Sequence, residues 1–387
     1  MILDFYYYNP TKVYFGKTAL SHLSEELKNY GDNILFLYGE GSIKKIVVYD
    51  QVSEVLKNSG KNIIELSGIK PNPTYKQMME CAKFARENNI DLILAVGGGS
   101  VIDCAKAISV SAHCKGDPWQ RYWVNKEDVD NEIIPVGCIP TLSGTGSEMN
   151  GGSVITNEDE MIKCGRVFPP EVNPKFSILN PNYTFGVPKL QMVSGIFDAM
   201  SHLMEQYFTG FDDNTTDYII EGVFQSLRHS TEIALRNPRN YEIKSNIMWC
   251  STMALNQITG LSKRQDWQVH MIEHQLSAYT NCAHGVGLAV LSVPYYKHIY
   301  KFGWDKFARF AKKMWDVDTD SMPKYEAALM GIEKLDEFIK KMELPTRLRD
   351  IGATEEMLPK IANSTEVGGG YKKMTKQEIL TILQEAY

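Results

Sequence analysis

A chain of 387 residues exceeds what one ordinary hydrophobic core supports, and 43% hydrophobic with 23% charged residues excludes both a disordered chain and a disulfide-dense scaffold. A net charge of -6 with no run of Lys and Arg leaves no broad basic surface, so nucleic acid is not an expected partner. MILDFYYYNP lacks the basic-then-apolar order of a secretory signal, and no apolar run reaches the roughly 20 residues that cross a bilayer; a cytoplasmic protein without a membrane partner is expected.

In chain order, a strand-like KVYFG (12–16) is followed by the apolar runs NILFLYG (33–39), DLILAVGGGS (91–100) and EIIPVGCIPT (132–141), with the helical TYKQMMECAKFAREN (74–88) between them. Alternation of this kind predicts parallel strands linked by helices. Beyond Pro181 and Pro188 the β-branched runs give way to helix after helix. QMVSGIFDAMSHLMEQYF (191–208), RQDWQVHMIEHQLSAY (264–279) and MPKYEAALMGIEKLDEFIKKM (322–342) all carry apolar residues at three- and four-residue spacing. The expected architecture is an α/β domain over 1–184 and an all-α domain over 185–387. Seven single cysteines without a C-x-x-C pair argue against a thiolate zinc site and against a disulfide framework.

Three loops at strand ends have the composition of a dinucleotide site. Gly97, Gly98, Gly99 and Ser100 end one strand and open a helix with Asp103 in its first turn. Glycines there let backbone N–H groups approach a pyrophosphate at a helix N-terminus, although such a cluster also serves simply as a tight turn. PTLSGTGSEMN (140–150) follows the next strand and combines Thr141, Leu142 and Ser147 with two glycines; it either closes over a nicotinamide ribose or is an ordinary polar loop. At the end of NILFLYG, the position that reads the adenine ribose is Gly39 rather than an acidic residue, and Gly41, Ser42 and Lys44 offer phosphate donors. That pattern favours NADP(H) over NAD(H). Glu40, turned inward onto a ribose hydroxyl, would restore NAD(H) use.

Asp198 and His202 lie four apart on one predicted helix, His270 and His274 repeat the spacing on another, and His284 follows. Residues four apart share a helix face, and nitrogen and carboxylate donors without thiolate suit ferrous iron and zinc alike. A core histidine beside a carboxylate has the same spacing, and spacing alone does not bring two distant helices together.

The stretches GGGSVIDCAK (97–106), GTGSEMN (144–150), FSILNP (176–181), DAMSHLMEQY (198–207) and HMIEHQLSAYTNCAHG (270–285) resemble the iron-containing alcohol dehydrogenase family, in particular its NADPH-dependent, butanol-dehydrogenase-like branch, in order and over essentially the whole chain. The resemblance implies a dehydroquinate synthase-like pairing of an α/β dinucleotide-binding domain with an all-α metal-binding domain, an active site in the cleft between them, and a homodimer. It implies that Asp198, His202, His270 and His284 ligate one Fe2+ or Zn2+, with His274 near the substrate. It also implies that Asn72, Gly97 to Ser100, Thr141, Leu142, Ser147, Lys163 and Leu179 line the cofactor site. The expected activity is reversible hydride transfer between NADP(H) and a small primary alcohol or aldehyde, with His274 as proton relay or as a partner orienting the ligands. A metal-dependent lyase or polyol-phosphate dehydrogenase on the same scaffold is the first rival, but only Lys263 and Arg264 stand near the histidine motif to hold a phosphate. A non-catalytic nucleotide-binding sensor is the second.

Overall fold

The computed structural model describes residues 2–210 and 213–387, so Met1 of the opening stretch and positions 211 and 212 lie outside the described residues. Two compact units emerge, the first formed by residues 8–187 with 238–252 and the second by the remainder of the chain.

The first unit is built on a six-stranded parallel sheet. Its strands are β1 (Lys12–Phe15), β2 (Asn33–Gly39), β3 (Asn62–Ile69), β4 (Leu92–Gly97), β5 (Val136–Pro140) and β8 (Phe176–Leu179), in the spatial order β1-β8-β5-β4-β2-β3. An antiparallel hairpin, β6 (Gly152–Asn157) with β7 (Ile162–Val167), stands apart from it. Helices α1 (Leu23–Leu27), α2 (Val48–Asn58), α3 (Tyr75–Glu87) and α4 (Gly99–Ser111) fill the crossovers.

Both faces of the sheet are buried, which is why its strands read as continuous apolar runs. Ile34, Phe36, Leu92, Leu94 and Val96 pack with Leu23 of α1 and with Val52 and Leu56 of α2. Leu35, Leu37, Ile93 and Ala95 pack with Met78 and Ala82 of α3 and with Ile102, Ala105 and Ile108 of α4. Helices α2 and α4 therefore leave the adjacent strands β2 and β4 toward opposite faces. This is the switch point at which open α/β sheets bind ligands beyond their carboxyl ends. Gly39, Gly97, Thr141 and Leu179 end, or follow directly, the four neighbouring strands β2, β4, β5 and β8.

In the second unit the helices are α5 (Lys189–Tyr207), α6 (Thr215–Ala234), α8 (Gln268–Thr280), α9 (His284–Ile299), α10 (Trp304–Trp315), α11 (Lys324–Lys341), α12 (Leu358–Ser364) and α13 (Lys376–Ala386), while most of α7 (Tyr241–Ala254) groups with the first unit. From Met192 to Tyr207 every residue of α5 is buried, so polar side chains on this helix face protein and need partners there. Helix α9 packs on both α5 and α8 because its first turn carries glycines. A Cβ at Gly285 would overlap the Ser194 carbonyl of α5, and one at Gly287 would lie 2.8 Å from Glu273 Cγ of α8. Among the described residues, no helix is long and apolar enough to cross a membrane.

Candidate functional site

Helix periodicity brings Asp198, His202 and Glu205 to one buried face of α5 at positions i, i+4 and i+7. The close approach of α9 at Gly285 delivers His284 to the same place, and α8 delivers His270. Three imidazole Nε2 atoms then converge on Asp198 Oδ1, from His202 at 3.3 Å, His284 at 3.6 Å and His270 at 3.7 Å. Asp198 Oδ1 and His270 Nε2 are buried without a hydrogen-bond partner, although burial of unpaired polar atoms is costly. A divalent cation is a partner that one carboxylate and three imidazoles can share, so this donor set fits one.

Behind these side chains stand two carboxylates that the sequence did not single out. Glu205 faces His270 Nδ1 and Glu273 faces His284 Nδ1. Each accepts from Nδ1–H and so turns Nε2 toward Asp198, where a cation would take the place of any proton on that nitrogen. Their spacing was visible: Glu205 follows Asp198 by seven residues, and Glu273 falls within H-x-x-E-H.

The electrostatics favour positive charge here. Burial pushes the Asp198 carboxyl up, but His202, His284 and His270 outweigh it and hold the acid well below the usual carboxylate range. For His202 burial dominates over Asp198 and pulls the imidazole down to about 3, keeping it neutral. At His270 the same burial effect is overcome by Glu205 and Asp198, and the ring is lifted to about 10. His274 is buried beside these side chains, with its ring centroid 5.7 Å from that of His284 and 6.4 Å from that of His270.

In the other unit the proposed cofactor loops lock onto each other. Thr141 N–H donates to the Gly97 carbonyl at 3.0 Å, Leu142 lies beside Gly98, and a Cβ on Gly99 would overlap Thr145. Gly98 precedes the first turn of α4, leaving Ser100 within that turn. Asp103 accepts from the Ser147 hydroxyl and, at 3.0 Å, from Val154 N–H, so both side chains hold the 144–150 loop against α4. Lys106, one turn on and fully buried, donates to the carbonyls of Ser147 (3.0 Å) and Asn150 (3.1 Å). Burial lowers its pKa, with Asp103 opposing. This lysine went unnoticed in the sequence despite standing three residues after Asp103.

Asn72, at φ 53°, accepts from Lys163 Nζ at 3.0 Å, tying the loop after β3 to β7. Leu179 is fully buried at the end of β8. Gly41 takes a left-handed φ of 107° ahead of a 3-10 turn, Ser42–Lys45. Ser42 is exposed there, whereas the Lys44 ammonium lies 4.7 Å above the Tyr49 ring and 5.2 Å from that of Tyr38, two tyrosines whose hydroxyls donate to Glu65. Glu40 is exposed.

Known proteins carry the same organisation along the full chain. The chain is 37% identical to NADH-dependent butanol dehydrogenase A of Clostridium acetobutylicum, covering all of both proteins. It is 34% identical to the NADPH-dependent aldehyde reductase YqhD of Escherichia coli, over 95% of this chain and 94% of that one. The crystal structure of NADH-dependent butanol dehydrogenase A from Thermotoga maritima superposes with a TM-score of 0.94 at 36% identity, covering 100% of this chain and 99% of that one. Residues 10–181 match the family model of iron-containing alcohol dehydrogenases, and residues 192–387 match that of the C-terminal domain of the same family. The chain is therefore an oxidoreductase belonging to the iron-containing alcohol dehydrogenase family.

Proposed function

We propose that this chain catalyses reversible hydride transfer between a nicotinamide cofactor and a small primary alcohol or its aldehyde, with Asp198, His202, His270 and His284 holding one Fe2+ or Zn2+. The observation that carries the reading is the convergence of three Nε2 atoms within 3.3 to 3.7 Å of a single buried Asp198 oxygen. A cation bound there polarises a carbonyl oxygen and makes an alcohol easier to deprotonate. Glu205 and Glu273 orient two of the imidazoles, and His274 holds or passes the proton at the substrate oxygen.

For the nucleotide, Gly39, Gly97 to Ser100 and the loop from Thr141 to Ser147 form the cradle, with Asn72, Lys163 and Leu179 at its borders. Asp103 and Lys106 keep that cradle in shape. Gly41, Ser42 and Lys44 favour NADP(H). A second reading, NAD(H), is favoured by Glu40 and by the names of relatives at 36 to 39% identity, which are NADH-dependent butanol dehydrogenases. The two separate in a comparison of kcat/KM for NADPH and NADH, a higher value with NADH removing the first.

A phosphorylated substrate is disfavoured, because the buried Lys263 ammonium already pairs with Asp217 at 2.6 Å. The proposal extends to a cytoplasmic homodimer. Seven cysteines scattered singly, without a C-x-x-C pair, suit a reducing compartment, and β1 lies at an edge of the sheet with Phe15 exposed. The test is direct: protein purified without oxygen is assayed for bound metal, then mixed with NADPH or NADH and butanal while the nicotinamide absorbance is followed. Folded, metal-loaded protein that turns over no simple aldehyde would refute the activity.

A further inference from the structure

Trp267 breaks the expected helix. Sequence periodicity runs from Arg264, yet α8 begins at Gln268, because Trp267 sits in the left-handed region at φ 64°. A bulky residue there is a genuine backbone outlier, of the kind that concentrates at functional sites. What the conformation achieves is the placement of an indole. The Trp267 ring lies 5.2 Å from that of His270, edge-on, and 5.9 Å from that of His202. Its Nε1–H is anchored on Gln265 Oε1 at 2.6 Å, which fixes the ring, and the side chain remains half-buried rather than sealed in the core.

On α8 His270 and His274 lie four apart on one face of the helix, and Trp267, just ahead of its first turn, sets its ring against that of His270. The donor set is thus flanked by an apolar ring at one end and by an imidazole at the other. Two charged residues close to Trp267 in sequence are engaged elsewhere. Lys263 pairs with Asp217, and Asp266 accepts from Tyr295 and Gln268.

We propose that Trp267 is the specificity-determining residue of this site: its indole is the surface on which the alkyl or aryl tail of an aldehyde packs, so that the enzyme selects substrates of four or more carbons over acetaldehyde. The inference rests on the aldehyde-reducing function proposed above and adds the residue that sets chain-length preference. Apolar discrimination of this kind grows with each methylene that reaches the surface.

The test compares wild type with Trp267→Phe and Trp267→Ala, each loaded with metal, on acetaldehyde, butanal and benzaldehyde. Alanine adds no backbone strain beyond that of the tryptophan already at this position. In Trp267→Ala, the ratio of kcat/KM for butanal or benzaldehyde to that for acetaldehyde falls by about 10-fold or more. Trp267→Phe, which keeps a ring, recovers most of the butanal preference, and all three proteins bind the same amount of metal. An unchanged ratio of butanal to acetaldehyde kcat/KM in Trp267→Ala overturns the assignment. Loss of metal in that variant also overturns it, since the indole would then serve only to support the donors. Absence of turnover in the wild type with every aldehyde defeats the proposed function itself, and is distinguished by arising without any substitution.

Discussion

Glu205 meets His270 twice: one carboxylate oxygen faces the ring Nδ1, and the other accepts the backbone N–H of His270 at 3.4 Å together with that of Val269 at 2.9 Å. A single side chain of α5 thus caps the first turn of α8 and sets the tautomer of its imidazole. Glu205→Gln keeps the shape but presents an amide to Nδ1, driving the proton to Nε2. Metal affinity is expected to fall about 10- to 100-fold. Competition with a chromophoric chelator measures it, and an unaltered dissociation constant would exclude the orienting role.

The two histidines of α8 are expected to separate by function. His270→Ala loses the metal, whereas His274→Ala keeps it and loses about 100-fold in kcat if the ring transfers the proton. Metal content and steady-state rates measured on the same preparations decide this. Equal metal loss in both variants would contradict the division.

Gly285→Ala tests the helix approach rather than a ligand. A methyl group there overlaps the Ser194 carbonyl, so α9 must move away from α5 and take His284 with it. Metal binding weakens although all four donors remain in the sequence. A variant with wild-type metal affinity would show that the glycine is dispensable.

Lys106→Met removes a buried ammonium from beneath the 144–150 loop and strands the carbonyls of Ser147 and Asn150. A stability loss of about 3 kcal/mol is expected by urea unfolding, together with weaker nucleotide binding and little change in metal affinity. Wild-type nucleotide affinity in the folded variant would separate the loop from the cofactor.

Asp266 gives a pH dependence. Burial, reinforced by Glu205, lifts its carboxyl to about 7, against the hydrogen bonds from Tyr295 and Gln268. Between the ordinary carboxylate range and pH 7 the folded state therefore holds more protons than the unfolded one. Its contribution to stability falls as pH rises through that window. Asp266→Asn should flatten this part of the profile in urea titrations from pH 5 to 8; an unchanged slope would exclude Asp266 as its source.

How much of this was legible in the sequence depends on how local the cause is. NILFLYG and the core of DLILAVGGGS form strands where their apolar runs lie, and the helix at 74–88 differs from its observed bounds by one residue at each end. These elements are dictated by burial along a continuous stretch. EIIPVGCIPT is strand only from Val136, because Pro135 lacks the N–H a ladder needs. The Asn62–Ile69 edge strand and the hairpin after Asn150 were missed: NIIELSGI is mostly half-buried, and GSVITN alternates in burial but turns polar Ser153 and Asn157 inward with Ile155, so its apolar residues do not alternate. For the site, helical spacing marked Asp198, His202, His270 and His274 as candidates with His284 close behind, and the family resemblance implied which four would ligate; the structure brings Asp198, His202, His270 and His284 together. Glu205 and Glu273 stand in the same motifs, but what they do, like what Lys106 and Trp267 do, depends on residues distant in sequence or on a backbone angle that composition does not record.

The helical stretch from Tyr241 has one further consequence. Although it lies late in the chain, it packs with the sheet, where Trp249 meets Phe15, Tyr241 receives Lys17, and Thr252 donates to the buried Glu148 carboxylate. The sheet-bearing half is consequently not a portable cassette. Recombination between relatives at the Val187–Pro188 junction would pair one parent's sheet with the other parent's helix, and chimeras with that breakpoint should inherit mismatched side chains at Phe15, Lys17 and Glu148 unless residues 238–252 travel with the N-terminal segment.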